Sequence, residues 1–187
     1  MIHKYLIFLV LTAFSICSCK KEKADSVNKV NTATESFAAH DRLKKYVDSV
    51  FLTNSVTQDS FYSTKQIYED ARLMSTGIKG DTSTPELLFR TGALVRGRKD
   101  ATKAIGIWGL INEKYPDSKW AADAMFQKAF TFDNDLQDKQ TAKIYYENFL
   151  KAYPNHKLSE DVRLLIPTLG KTDQQLIEEF EKKNKKK

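Results

Sequence analysis

The sequence predicts an all-α fold, a solenoid of about eight antiparallel helices stacked as repeated pairs. Three observations carry this. Punctuation is sparse: 187 residues hold only 7 Gly and 4 Pro, whereas a sandwich or barrel of short strands needs turn signals every few residues. Apolar residues recur at helical steps of 3 and 4 along most of the chain. One pattern also occurs twice. Ala104, Trp108, Ile111 and Pro116 follow one another at steps of 4, 3 and 5, and Ala142, Tyr146, Phe149 and Pro154 repeat those steps 38 residues later. Self-similarity at such a period marks stacked units that bury their apolar faces against neighbours.

At the N-terminus, Lys4 precedes an apolar run from Tyr5 to Phe14, followed by Ser15, Ile16, Cys17, Ser18 and Cys19. The run is too short for a permanent membrane helix, which needs about 20 apolar residues, and it fits the apolar region of a secretory signal. The run Ile16-Cys17-Ser18-Cys19 resembles the lipobox of bacterial lipoproteins: an aliphatic residue at −3, a small one at −1, then Cys. Cys17 at −2 is less usual. The resemblance implies cleavage before Cys19 and acylation of its thiol and new amine, with Cys19 as the lipid attachment site. Several acyl chains anchor stably where one is marginal. In lipoproteins of enteric type an Asp after that cysteine retains the protein at the inner membrane; Lys20 stands there, which points to the outer membrane. No Cys follows Cys19, so the mature body has no disulfide, thiol nucleophile or thiolate metal site.

These readings divide the chain into a signal peptide (1–18), a lipid-anchored flexible tether (19–33) and a degenerate N-terminal helix pair (34–80). Two good repeats (81–154), a C-terminal capping pair (155–183) and a basic tail (184–187) follow. In the first pair, Phe37 to Phe51 predicts a helix with Leu43, Val47, Val50 and Phe51 inward. A second helix, started near Asp59 as N-cap, carries Ile67, Ala71, Met74 and Ile78, and Gly77 to Gly80 reads as its C-cap and turn. In each good repeat a first helix precedes the quoted ladder: Leu88, Phe89, Gly92 and Val95 in one, Met125, Phe126, Ala129, Phe130 and Phe132 in the other. Gly92 and Ala129 mark the close contact between paired helices. The breaks fall at Gly97 to Lys99 and at Asn134 to Gln137, and the prolines end the second helices. Downstream, Leu158 to Leu169 predicts a helix shortened by Pro167 and stopped by Gly170. Thr172 with Gln175 reads as a capping box for a last helix with Leu176, Ile177 and Phe180 inward.

The skeleton Gly92, Ala104, Trp108, Ile111, Pro116 resembles the tetratricopeptide repeat, a helix–turn–helix unit of about 34 residues. The second unit matches with one extra residue in its turn. Thr91 and Lys128 stand where that family prefers Leu, and Ile111 and Phe149 where it prefers Ala. The longer link Pro116-Asp117-Ser118-Lys119-Trp120 resembles the subgroup of repeats found in outer-membrane lipoproteins, which includes an assembly factor for outer-membrane β-barrels, and in the periplasmic coordinator of cell division. The resemblance implies a concave surface lined by the first helices of the pairs. Family geometry turns Glu86, Phe89, Ala93 and Arg96 toward it from one unit, and Asp123, Phe126, Phe130 and Asp133 from the next. Helical spacing equally assigns Phe89, Phe126 and Phe130 to a core.

Chemistry finds little support. His40 and His156 are the histidines after the signal, and both read as solvated surface residues. They supply no Cys/His dyad and no dense zinc set, and no nucleophile elbow is present. The acidic pairs Glu69-Asp70, Glu160-Asp161 and Glu178-Glu179 read as exposed helix faces. Asp133-Asn134-Asp135 lacks the Gly and terminal Glu of a calcium loop. The net charge of +6 dissolves on inspection: Lys4 belongs to the signal, and five lysines crowd the last six residues. No basic stripe interleaved with aromatics crosses the body, so nucleic acid is excluded as a partner. The expectation is a non-enzyme without cofactor or metal, anchored in the cell envelope through its N-terminal lipid, binding an envelope protein or peptide through the repeats. The alternative expectation is a self-associating structural spacer without a dedicated client.

Overall fold

The computed structural model describes residues 32–53, 62–77 and 81–184. The signal, Cys19 and the tether up to residue 31 lie outside the described residues, as do Asp59, Ile78, Gly80 and the last three lysines. Among the described residues the chain forms eight α-helices packed as sequential antiparallel pairs: α1 (32–53), α2 (Thr64–Met74), α3 (Ser83–Gly97), α4 (Ala101–Lys114), α5 (Ala121–Asn134), α6 (Lys139–Ala152), α7 (Ser159–Leu165) and α8 (Asp173–Asn184). A single 3-10 turn, Ile166–Thr168, follows α7.

The two central pairs, α3–α4 and α5–α6, share the same joints. Each turn places one non-glycine residue in the left-handed region, Lys99 (φ 65) and Gln137 (φ 55), and follows it with an aspartate N-cap. The Asp100 side chain accepts the Lys103 N–H at 3.2 Å and the Asp138 side chain accepts the Thr141 N–H at 3.0 Å, satisfying donors that the helix itself leaves unpaired. Both second helices end one residue before proline, at Tyr115 (φ −134) and Tyr153 (φ −131). With ψ of 51° and 61° the backbone there has left the helical region, which a following proline disfavours.

Gly92 is where α3 and α4 come together. A Cβ at this position would lie 2.4 Å from the Trp108 indole nitrogen, so only glycine admits the ring. The Trp108 indole then donates to the Phe89 carbonyl at 3.2 Å. Around this contact α1 to α4 and the start of α5 bury a continuous core with Leu43, Val47, Ile67, Leu88, Ile107 and Ile111. A second core, built on Ala129, Ala142, Tyr146, Phe149 and Val162, joins α5, α6 and α7. Thr91, at a leucine-preferring position, is buried and donates its hydroxyl to the Leu87 carbonyl at 2.6 Å.

The N-terminal pair is bolted by polar contacts. Asp70 on α2 is fully buried. It accepts two bonds from Arg42, at 2.6 and 3.0 Å, one from the Tyr62 hydroxyl and one from Gln66. Arg98, in the α3–α4 turn, donates to the Tyr62 carbonyl at 2.7 Å and to the Tyr46 hydroxyl. One chain of bonds thus ties α1, α2 and the first repeat. Burial pushes the Asp70 carboxyl up, but the bonds from Arg42 and Tyr62 outweigh it and hold the group below its ordinary value.

Several local expectations are corrected. The first helix is helical from residue 32, not 37, and Ser36 is buried, its hydroxyl donating to the Met74 carbonyl at 3.3 Å. α2 begins at Thr64 and is capped by Ser63, whose hydroxyl accepts the Gln66 N–H at 3.2 Å. Phe51 is 53% exposed rather than inward. The inward stripe of α1 is Ala39, Leu43, Val47 and Val50, and at about 100° per residue Phe51 falls roughly a quarter-turn off it. At the other end Pro167 sits in the 3-10 turn and Gly170 has φ 75, so the helix is shortened and stopped as expected. The capping box forms in both directions, Thr172 N–H to Gln175 at 2.9 Å and Gln175 N–H to the Thr172 hydroxyl at 3.3 Å. Ile177, expected inward on α8, is 55% exposed; the side chain of Phe180 lies outside the described residues.

Gly92→Ala is expected to lower stability by more than about 2 kcal/mol, the range of overpacking in a dense core. Gly109→Ala on α4, where a Cβ meets nothing nearer than the Lys128 amine at 3.9 Å, is expected to raise stability by about 0.5–1 kcal/mol, because alanine loses less backbone entropy in a helix. Urea unfolding midpoints of the two variants check the pair. Asp70→Asn is expected to cost about 2 kcal/mol, less than for a wholly buried pair because Arg42 is half exposed. Since the folded carboxyl titrates below its unfolded value, its contribution is present above about pH 4 and lost as pH falls through the folded value. An acid-unfolding curve of Asp70→Asn should therefore converge on that of the parent at low pH.

Candidate protein-interaction face

Side-chain contacts link the first helices of successive pairs. The Ser83 hydroxyl lies 3.4 Å from the His40 ring. Arg90 on α3 reaches back to α1, 2.8 Å from Asp48 and 4.8 Å above the Phe51 ring. Arg96, six residues on, reaches the other way: it pairs with Asp135 just beyond α5 and lies 4.8 Å above the Phe130 ring. Each arginine is therefore held over an aromatic ring of a neighbouring unit and neutralised by a carboxylate beside it. The ion-paired side chains of Arg96 and Asp135 keep about a third of their surface in solvent.

The residues singled out in the sequence fall into four places. Arg96 and Phe130 form one patch with Phe126, whose ring stacks on Phe130 at 6.0 Å and backs onto Tyr146 and Phe149 at 5.9 and 6.1 Å. Glu86 and Phe89 lie toward the other end of α3. Phe89 stacks on Trp120 at 4.8 Å, and Glu86 is exposed at the rim of a depression of about 780 Å³ lined by Pro85, Tyr115, Pro116 and Trp120. Asp123 faces the turn before α7, 3.8 Å from His156 and 3.5 Å from the Lys157 amine. Asp133 is only 6% exposed. The Lys139 amine holds its carboxylate at 2.6 Å and its carbonyl at 2.8 Å, so Asp133 fastens α5 to α6. Burial, with the negative charge of Asp133 adding to it, pushes the Tyr146 phenol up.

His156 is not the solvated turn residue the sequence suggested. Its ring packs edge-on against Phe149 at 5.5 Å, and its Nδ1 accepts the Leu158 N–H at 3.4 Å. Sequence reasoning also missed Arg90, Asp135, Trp120 and Lys128 as partners. Asp135 had a signal, an acidic residue in the break 39 positions after Arg96, but nothing local connects the two. Lys128, at a position where the repeat resemblance prefers leucine, is half-buried. Its amine lies 4.8 Å from the Tyr145 ring centre, and burial pushes its pKa below the usual lysine range.

Residues 123–156 match the tetratricopeptide repeat family. This stretch is a tetratricopeptide repeat. It runs from the first turn of α5 through α6 to the turn before α7, and the α3–α4 pair upstream repeats its turn, caps and proline stop. No curated protein and no solved structure matches the chain significantly. A tetratricopeptide repeat is typically a non-catalytic module that binds other proteins. Among the described residues no group of three or more His, Cys, Asp or Glu could hold a metal ion, and no helix is long and apolar enough to cross a membrane.

Lys128→Met is expected to raise the melting temperature, by the equivalent of about 1 kcal/mol, because it keeps the volume and removes a charge held partly out of water. Calorimetry on parent and variant checks this. Arg96→Ala is expected to cost under about 1 kcal/mol, since the pair it breaks is partly solvated, so the variant remains a folded reagent.

Proposed function

We propose that the chain is a lipid-anchored protein of the cell envelope, in the outer membrane, that binds another protein through the first-helix face of its repeats. The observation that carries the binding face is the Arg96 patch. A guanidinium is held over Phe130 with its fork presented to Asp135, and that ion pair is of the weak, partly solvated kind. A carboxylate on a partner can take the place of Asp135 without reorganising the arginine, while Phe130 and Phe126 supply apolar contact. The tetratricopeptide repeat supports a protein as partner. The anchor rests on the lipobox-like run ending in Cys19 and the outer-membrane assignment on Lys20. A role in outer-membrane assembly or envelope organisation rests on the likeness of repeat and address alone.

The test is affinity purification of the intact protein from detergent-solubilised envelopes, beside a variant carrying Glu86→Lys and Arg96→Glu. Asp133 is left untouched because its burial makes it a folding residue. One protein is expected to co-purify with the parent and to be lost from the folded variant. Equal recovery from both would remove this face from the reading, and recovery from neither would remove the adaptor. Cys19→Ser is expected to shift the protein from the detergent phase to the aqueous phase on Triton X-114 partitioning; an unchanged distribution would overturn the lipid anchor.

A second reading, the self-associating spacer, draws on the exposed Ile144, Leu164 and Ile177 toward the C-terminal end. It requires a mass that rises with concentration in sedimentation equilibrium.

A further inference from the structure

The links that follow the two central pairs fold alike but are filled differently. After α4 the Ser118 N–H donates to the Tyr115 carbonyl and the Ala121 N–H to the Ser118 carbonyl, both at 3.0 Å. After α6 His156 and Ser159 make the same two bonds, to Tyr153 and His156, at 3.2 and 2.9 Å. In this second link the His156 ring packs edge-on against Phe149, and its Nε2 and the Lys157 amine lie 3.8 and 3.5 Å from Asp123 of α5. In the first link Ser118 stands for His156, Ile111 for Phe149 and Glu86 for Asp123. Both fillers are smaller there, and the depression of about 780 Å³ opens at this joint, walled by Pro85, Tyr115, Pro116 and Trp120. Glu86 is exposed and has no ion-pair partner among the described residues. The Ser118 hydroxyl is shielded from water and has no hydrogen-bond partner among them either. The other charged groups at the depression are Asp81, Asp117, Lys114 and Lys119. Asp81 accepts from the Ser83 and Thr84 hydroxyls, Lys114 is held by Glu113 at 2.7 Å, and the Lys119 amine lies over the Trp120 ring, 5.2 Å from its centre.

We propose that this depression binds an arginine side chain on an extended segment of the partner protein, its guanidinium paired with Glu86 and laid against the rings of Tyr115 and Trp120. The inference rests on the protein-binding reading above and adds the chemistry of one contact. Three features point to arginine. The second repeat shows what completes such a joint: a planar ring in the space and a cation beside the carboxylate of the first helix. The chain supplies neither to Glu86. Arginine brings both at once, whereas lysine has no plane to lie on a ring and a partner histidine is mostly uncharged near pH 7. Charge agrees, because Asp81, Glu86 and Asp117 face Lys119 alone once Lys114 is neutralised by Glu113. Trp120 already carries a cation, its neighbour Lys119, and a guanidinium, being less tightly hydrated than an ammonium, suits that ring better. The wall is also prepared: Trp120 is held by stacking on Phe89 at 4.8 Å, so little has to move when the arginine enters.

The experiment titrates the full chain with two probe peptides, acetyl-Gly-Arg-Gly-amide and its citrulline analogue, which keeps the shape and lacks the charge. The indole resonances of the two tryptophans are followed by heteronuclear NMR. The arginine peptide is expected to move the Trp120 signal along a saturable curve and to leave that of the buried Trp108 in place. The citrulline peptide is expected to bind about threefold or more weakly, and Glu86→Gln to weaken the arginine peptide by a similar factor while leaving the citrulline peptide unchanged. Ser118→His, which puts an imidazole where the second repeat carries one, is expected to abolish the response, and Arg96→Ala to preserve it. A silent Trp120, equal affinity for the two peptides, undiminished arginine binding in Glu86→Gln or retained binding in Ser118→His each overturns the proposal. A silent Trp120 beside a protein recovered from envelopes overturns this inference and leaves the adaptor standing; failure of the adaptor shows instead in the purification.

Discussion

The contact between Gly92 and Trp108 sets the spacing on which the rest of the solenoid is built. Without a Cβ at 92 the indole lies directly against the α3 backbone, and its N–H finds the Phe89 carbonyl. That places Ile107 and Ile111 of α4 against Leu88 and Val95 of α3 in one core. It also fixes where α3 presents its other sides, with Arg90 toward α1 and Arg96 toward α5. In the next repeat Ala129 and Tyr146 take the two positions, a methyl group against a smaller ring, and the core that results is smaller and leans more on Phe126 and Phe149. The chain therefore stacks unequal units by trading side-chain volume across one contact, as a packed interior requires.

The N-terminal pair solves the same problem differently. It uses Asp70, Arg42, Tyr62, Tyr46 and Arg98 as a connected polar bolt. Such a network adds little net stability over apolar packing, but it demands one geometry and penalises every other, because a buried carboxylate without its donors is costly. The bolt crosses from α1 through α2 to the α3–α4 turn, so the first repeat cannot separate from the N-terminal pair without exposing both ends of it. A degenerate unit thereby stays in register with the regular ones.

Much of this was legible in the sequence because it is local. The steps from Ala104 to Pro116 and from Ala142 to Pro154 state helix faces and stops within one helix. The turn residues and the capping box at Thr172 and Gln175 act over three or four positions. The first pair was read less well for a physical reason: its helices are set by Ser63 as a cap and by Asp70 as a hub. Asp70 read as part of an exposed acidic pair, Glu69-Asp70, because its partners Arg42 and Tyr62 lie 28 and 8 residues away. Phe51 went astray because a quarter-turn separates a core residue from one that shelters under an arginine. Of the face, Arg96 and Phe130 were visible as residue types, but their pairing was not. Asp133 looked like a surface charge until Lys139, six residues later, was found to hold it.

The aromatic residues of the face answer both readings the sequence left open. Phe126 has its ring against Tyr146 and Phe149, which makes it core. Phe130 is backed by Phe126 on one side and covered by Arg96 on the other, which makes it a floor for a charge. Phe89 is finished by Trp120, from the link that follows α4. A face built this way is rigid in its apolar part and exchangeable in its ionic part. The rings are fixed by the cores behind them, while the Arg96 ion pair is partly hydrated and can change partner at small cost. Affinity for a ligand on such a surface comes from how little has to move when it binds. The same rigidity explains why charge reversal at Arg96 is a clean probe while charge reversal at Asp133 is not. The first alters what the face offers, and the second removes the fastening of α5 to α6 that holds Phe126 and Phe130 in place.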